Sequence, residues 1–164
     1  MGLRVIGVDH GSKEGLVKES GAEHFVDITK FPKDDNFEAI SSHVKSLTTK
    51  GLGAHAVIIC TAANIAYAQS LHFLRYNGTA VCVGIPENEP QAVASAYPGL
   101  FITKHLNITG SAVGTRAEAI ETMEFAERGV IKTHFRTEKM DALTDVFKEM
   151  EKGAVQGRVV LDLS

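Results

Sequence analysis

Cysteine is scarce in this chain of 164 residues: Cys60 and Cys82 are the two present, too few and too far apart in sequence for a disulfide framework. There is no Cys-x-x-Cys and no His-Glu-x-x-His, and the seven histidines are scattered without metal-ligand spacing, so no zinc site is expected within these residues. A charge excess of basic sign is also absent. The net charge of -3 leaves no basic stripe to neutralise phosphates, which excludes nucleic acid as an expected partner. No apolar stretch approaches the ~20 residues needed to span a bilayer, so no membrane association is expected. The first residues lack the long apolar run and cleavage site of a secretory signal, and Ile6 breaks the myristoylation pattern that Met1-Gly2 would begin. Internal repeats, low-complexity tracts, flexible linkers and a glycine-rich phosphate loop are likewise missing.

What remains is an ordinary globular composition, 44% hydrophobic and 23% charged, long enough for a real core. Strand and helix patterns alternate along it. Strands are expected at Leu3–Asp9, His24–Ile28, Ala56–Cys60, Thr79–Ile85, Leu106–Val113, His134–Thr137 and Arg158–Leu163. Helices are expected at Ser12–Ser20, Asn36–Thr49, Ala63–Arg75, Tyr97–Lys104, Arg116–Arg128 and Asp141–Lys152, several stopped by glycine. Runs such as Ala56-Val57-Ile58-Ile59-Cys60 lack polar alternation, as parallel strands covered on both faces do. The fold class is therefore α/β with a parallel sheet. Cys60 and Cys82 fall inside expected buried strands, the usual place of reduced thiols, which points to the cytoplasm. The sequons at Asn77 and Asn107 carry weight only in a secreted chain. Glu87-Asn88-Glu89-Pro90 reads as the most exposed loop.

The strand ending at Asp9 is the most informative feature. In a dinucleotide-binding βαβ unit an acid closes the second strand, roughly 20 residues after a glycine-rich turn, and holds the adenosine ribose. Here the acid is present without the turn before it, as though the domain began one βα unit late. In the doubly wound order the missing first strand lies between the second and fourth, so a gap of roughly 10 Å is expected between Leu3–Asp9 and Ala56–Cys60. Both would expose unpaired apolar edges. Produced alone, the chain is expected to be poorly soluble, partly unfolded or self-associated.

Four segments occur in an order that carries a resemblance: Leu3-Arg4-Val5-Ile6-Gly7-Val8-Asp9, Asn77-Gly78-Thr79-Ala80-Val81-Cys82-Val83-Gly84-Ile85-Pro86, Gly110-Ser111-Ala112-Val113-Gly114-Thr115-Arg116 and Met150–Asp162. Together they resemble the C-terminal, cofactor-domain half of the zinc-type alcohol dehydrogenases of the medium-chain dehydrogenase/reductase superfamily, in their fungal, yeast-like branch. The resemblance implies a Rossmann-type doubly wound sheet lacking its first strand over residues 1–113. Residues 114–164 would be a C-terminal segment that packs back on a catalytic domain outside this chain. It implies NAD-dependent interconversion of an alcohol with an aldehyde or ketone, with the zinc ligands and proton relay also outside these residues. The chain by itself is expected to be inactive. Two rivals stay open: a polyol dehydrogenase or zinc-free quinone reductase of the same superfamily, and a short non-catalytic nucleotide-binding or interaction protein.

The resemblance also assigns candidate cofactor residues. Asp9 would accept from both ribose hydroxyls and repel a 2′-phosphate; no Arg follows it in His10-Gly11-Ser12, which favours NAD over NADP. Read without the resemblance, Asp9 could equally cap the next helix. Lys13 matches a lysine that reaches the ribose, though the loop is one residue shorter than the yeast-like pattern, and a solvated helix lysine is the plain alternative. Thr61 and Ala62 would lie beside the cofactor where the strand order reverses; Thr61 alone reads as a helix cap. Val83, Ser111 and Val113 match positions whose backbone holds the nicotinamide carboxamide. Ile85 would face the nicotinamide and substrate, and Arg158 the pyrophosphate, against plain readings as core and as surface charge. The family pairs subunits through its last cofactor-domain strand, here Leu106–Val113, so a homo-oligomer through that sheet edge is expected.

Overall fold

A computed structural model describes residues 2–32, 36–86 and 89–164. The chain runs β1 (Ile6–Asp9), α1 (Glu14–Glu19), β2 (His24–Asp27), α2 (Glu38–Ser46), β3 (Ala54–Ile59), α3 (Asn64–Phe73), β4 (Leu74–Cys82), α4 (Pro98–Lys104), β5 (Asn107–Gly110), α5 (Arg116–Glu127), β6 (Phe135–Lys139), α6 (Leu143–Glu151) and β7 (Arg158–Asp162). Every strand pairing is parallel, so the α/β expectation holds. Local chemistry sets the helix ends. Pro98 opens α4, where a missing N–H is harmless. A reciprocal capping box between Thr115 and Glu118 opens α5.

The strands form three separate sheets, β1-β2, β3-β4-β5 and β6-β7. Among the described residues no strand lies between β1 and β3, so the sheet is interrupted where the strand order requires its central member. What bridges the interruption is helical. One buried cluster takes Val26 from β2, Phe37, Ile40 and Val44 from α2 and its approach, and Ala68 and Phe73 from α3. Ile6 and Val8 of β1 and Val57 of β3 pack on the same cluster, so the two sheets share a core. A second cluster, Ile59, Tyr67, Leu71, Leu74, Ala80, Leu100 and Leu106, seats α3 and α4 against β3 and β4. Each fully buried leucine there contributes about 1.5–3 kcal/mol by removal from water.

Several expectations are corrected. β3 is not covered on both faces: Ile59 is buried, but Ile58 stays 65% exposed. Covering elements reach one side of that strand only. Helix α3 ends at Phe73 rather than Arg75, and β4 begins at Leu74 rather than Thr79. The cause is packing. Leu74 is fully buried and pairs with Ala54, and Gly53 admits the chain there because a Cβ on it would lie 2.7 Å from the Phe73 carbonyl oxygen. The register then jumps from Ala54 opposite Leu74 to Ala56 opposite Thr79, with Asn77 in the left-handed region, so Asn77-Gly78 form a bulge within the strand rather than a helix stop. β4 ends at Cys82, short of Ile85. Cys60 lies one residue past β3 and is exposed, and Cys82 is half-buried at the end of β4, so neither thiol is a core residue. Of the expected exposed loop, Glu89 and Pro90 are exposed, while Glu87 and Asn88 lie outside the described residues.

Candidate functional site

In parallel sheets ligands sit beyond the carboxyl ends of the strands. Ile59 of β3 faces Cys82 of β4, and Cys82 faces Gly110 of β5. The residues that follow each strand therefore share one edge, among them Thr61 and Ala62, Val83 and Ile85, Ser111 and Val113. Val83 and Gly84 both donate to the Ile59 carbonyl, at 3.1 and 2.8 Å, and Ser111 donates to the Cys82 carbonyl at 2.9 Å. These bonds consume the N–H groups of Val83 and Ser111 and leave their carbonyls as acceptors. Ile85 and Val113, at 83% and 98% exposure, project from this edge into solvent and are not core residues. Thr61 accepts from the Ala63 N–H at 3.2 Å and so closes the turn into α3.

The edge is tight at Gly84. A Cβ there would stand 2.2 Å from the Thr61 carbonyl oxygen, and the Tyr67 hydroxyl donates to the Gly84 carbonyl. Burial, then the neighbouring Cys82 and Cys60, push the Tyr67 hydroxyl pKa up, which keeps it protonated as a donor.

The β1–β2 sheet forms the other half. Asp9 sits at the end of β1, opposite Asp27 on β2. It does not cap the following helical turn; that role falls to His10, whose Nδ1 accepts from the Ser12 N–H at 3.2 Å. Asp9 accepts one bond, from the His10 N–H at 2.6 Å, and is otherwise exposed, with no Lys or Arg paired to it among the described residues.

Asp27 has a role that the strand pattern alone did not assign. Its Oδ1 accepts from the Gly11 N–H at 3.0 Å and from the Thr29 N–H and hydroxyl at 2.9 and 2.7 Å. The Thr29 bonds chiefly hold its pKa below the ordinary value, against an opposing effect of burial. A Cβ on Gly11 would lie 2.4 Å from the Asp27 Oδ2, so the turn after Asp9 is pinned to β2. The C-terminal segment pins it from the other side. Lys13 Nζ donates to the carbonyls of Val155 and Gly153 at 2.6 and 3.3 Å, and the Gln156 amide donates to the Ser12 carbonyl at 3.1 Å. Lys13 is thus engaged at the end of α6 rather than solvated. Arg158 lies two residues further, exposed at the head of β7, its N–H bonded to the His134 carbonyl at 2.9 Å. A second strand-ending acid and the glycines at 11 and 84 were the available sequence signals for this framework.

The family model for zinc-binding dehydrogenases matches residues 1–128. The chain belongs to the zinc-binding dehydrogenase family. Over all its residues it is 85% identical to Alcohol dehydrogenase 2 of Emericella nidulans and covers 45% of that protein. It is 37% identical to Alcohol dehydrogenase 1 of Caenorhabditis elegans, covering all of this chain and 44% of that protein. Among solved structures it resembles the alcohol dehydrogenase of Aeropyrum pernix, with 25% identity and a TM-score of 0.80 over 97% of this chain and 42% of that one. The chain therefore spans less than half the length of the dehydrogenases it matches. Among the described residues no group of three or more His, Cys, Asp or Glu could hold a metal ion, and no helix is long and apolar enough to cross a membrane.

Proposed function

We propose that this chain supplies the NAD-binding part of an alcohol dehydrogenase that interconverts a primary or secondary alcohol with its aldehyde or ketone. The observation that carries the reading is Asp9: an exposed carboxylate with spare acceptor capacity, on a turn fixed from both sides, at the carboxyl end of a parallel strand. The 85% identity to a protein named an alcohol dehydrogenase favours that substrate class over polyols and quinones. NAD, when bound, accepts the hydride leaving the alcohol carbon.

The chain's own residues bind and orient. Asp9 accepts from the ribose hydroxyls, and the absence of a paired cation beside it among the described residues disfavours a 2′-phosphate. The carbonyls of Val83 and Ser111 suit the NH₂ group of a carboxamide, with Val113 beside them, while Ile85 shields the nicotinamide from water. We assign Thr61 and Ala62 to the border of the cofactor and Arg158 to its pyrophosphate, with Lys13 reaching the ribose on release of its bonds to the Gly153 and Val155 carbonyls. We assign residues 1–113 to the cofactor domain and 114–164 to a segment that packs on a catalytic domain, where the zinc ligands and proton relay would lie. The outer edge of β5, unpaired among the described residues and exposed at Asn107–Gly110, supports pairing with a second copy over Leu106–Val113. The two free thiols support a reducing, cytoplasmic setting.

The test is calorimetric titration with NAD and NADP of the native chain and of Asp9→Asn. NAD should bind more tightly than NADP, and the substitution should weaken NAD by about tenfold while narrowing the preference, since a hydrogen bond to a charged group contributes about 1.5–3 kcal/mol. An unchanged NAD affinity in Asp9→Asn, or no preference in the native chain, would overturn the assignment.

A further inference from the structure

Away from the strand ends, α2 lays Glu38, Ser41, Ser42 and Lys45 along one face, at helical spacings of three and four residues. With Asn36 and His72, the ring near the end of α3, they line a cleft of about 360 Å³. Its donors outnumber its acceptors. Ser41 is 4% exposed and its Oγ has no hydrogen-bond partner among the described residues, an unusual state for a buried hydroxyl. The Asn36 Oδ1 is already taken by the Glu38 N–H at 3.1 Å, which leaves the Asn36 amide NH₂ to donate.

Lys45 and His72 line the cleft, and Lys104 acts on His72 from outside that lining. Burial, then the charges of Lys104 and Lys45, hold the His72 pKa below its ordinary value. Lys104, on α4, is held low by burial and by Lys45. Neither lysine is in an ion pair among the described residues. Two ammonium groups that disfavour each other's charge, beside an imidazole held toward its neutral form and a hydroxyl with no partner among the described residues, form a place where an anion is favoured. Among the described residues Glu38 is the one acid lining the cleft, and it suits hydroxyl donors rather than a second anion.

We propose that this cleft binds a phosphate monoester on a small hydroxylated molecule, with Ser41, Lys45 and His72 on the phosphate and Glu38 on the hydroxyls. A phosphate brings three acceptor oxygens to these donors. The volume exceeds what a bare phosphate fills, as a water takes only about 30 Å³. The site is separate from the strand-end edge and does not depend on the cofactor reading.

The experiment is an NMR titration of the whole 164-residue chain with glycerol 3-phosphate at constant ionic strength, following the His72 ring resonances. Inorganic phosphate and glycerol run as parallel arms, and His10, beside Asp9, serves as an internal reference. The expected result is saturable movement of His72 by glycerol 3-phosphate, weaker binding of inorganic phosphate and none of glycerol. Lys45→Gln should weaken the ester by about tenfold, the factor a lost charge-assisted hydrogen bond carries, and Ser41→Ala should weaken it less. An immobile His72, a response unchanged in both variants, or movement of His10 alone would overturn the proposal. Equal affinity for ester and inorganic phosphate would overturn its hydroxyl-recognition part.

Discussion

Residues 54–106 and residues 107–164 are built on the same alternation, yet they bury very different amounts. The first stretch holds Ile59, Tyr67, Leu71, Leu74, Ala80, Leu100 and Leu106 in one cluster. In the second, Val146 is the one buried residue among those described, while Ile120, Met123, Val130, Phe135, Phe147 and Met150 are all exposed. Helix α5 buries nothing, although its capping box makes it a well-formed helix. Secondary structure thus follows local chemistry in both regions, whereas a core forms only where covering elements are at hand. In the second region the apolar side chains are present and, among the described residues, their cover is not, which is the observation behind the proposal that residues 114–164 pack on another domain.

The largest effect should separate the two regions outright. Leu71→Ala removes a side chain that is 1% exposed and should cost about 2–5 kcal/mol. Met123→Ala on α5 should stay within about 0.5 kcal/mol. Urea denaturation followed by far-ultraviolet circular dichroism measures both, and equal costs would break the contrast. Next comes a pair on the strand-end edge. Gly84→Ala places a methyl 2.2 Å from the Thr61 carbonyl oxygen, and the same denaturation series should show a loss of about 1–3 kcal/mol. Gly110→Ala meets nothing within 4 Å and should be close to neutral.

A smaller effect is expected at the turn after Asp9. Asp27→Ala should free the Gly11 amide, speeding its hydrogen exchange and weakening NAD, and Asp27→Asn should restore part of both because it keeps an acceptor oxygen. The smallest concerns acid. Asp162 has its pKa lowered to about 2, chiefly by its hydrogen bond from Lys139, then by Ser164. Its ionised form therefore stabilises the β6–β7 pair fully above the unfolded carboxylate pKa of about 3.9, and that contribution fades as pH falls toward 2. Thermal unfolding at successive acid pH values should show a smaller loss in Asp162→Asn than in the native chain, the remainder belonging to Asp27 and the other carboxylates whose pKa is lowered.

The order of elements and the break between β1 and β3 were legible in the sequence, because glycine stops, apolar runs and a strand-ending acid are local signals. The common edge of Thr61, Val83 and Ser111 was legible too, through the family resemblance. Three features were not. The early start of β4 at Leu74 depends on Gly53 admitting a neighbouring backbone, a contact between distant residues. The exposure of Ile58 depends on what does not cover β3, which an apolar run cannot report. The clamp on the Asp9 turn joins Asp27, Gly153, Val155 and Gln156 through bonds spanning up to most of the chain. The one core that α2 and α3 carry beneath both sheets was not legible either, because it joins β1, β2 and β3 through residues far apart in sequence.

The most direct test of the account is residue-resolved amide hydrogen exchange of the chain with and without NAD. Strong protection is predicted through α3 and β4 and little in α5, with NAD slowing exchange around Asp9–Lys13, Thr61–Ala62 and Val83–Ile85 and leaving α5 unchanged. Protection of α5 equal to that of α3, or an NAD response confined to residues away from the strand ends, would contradict it.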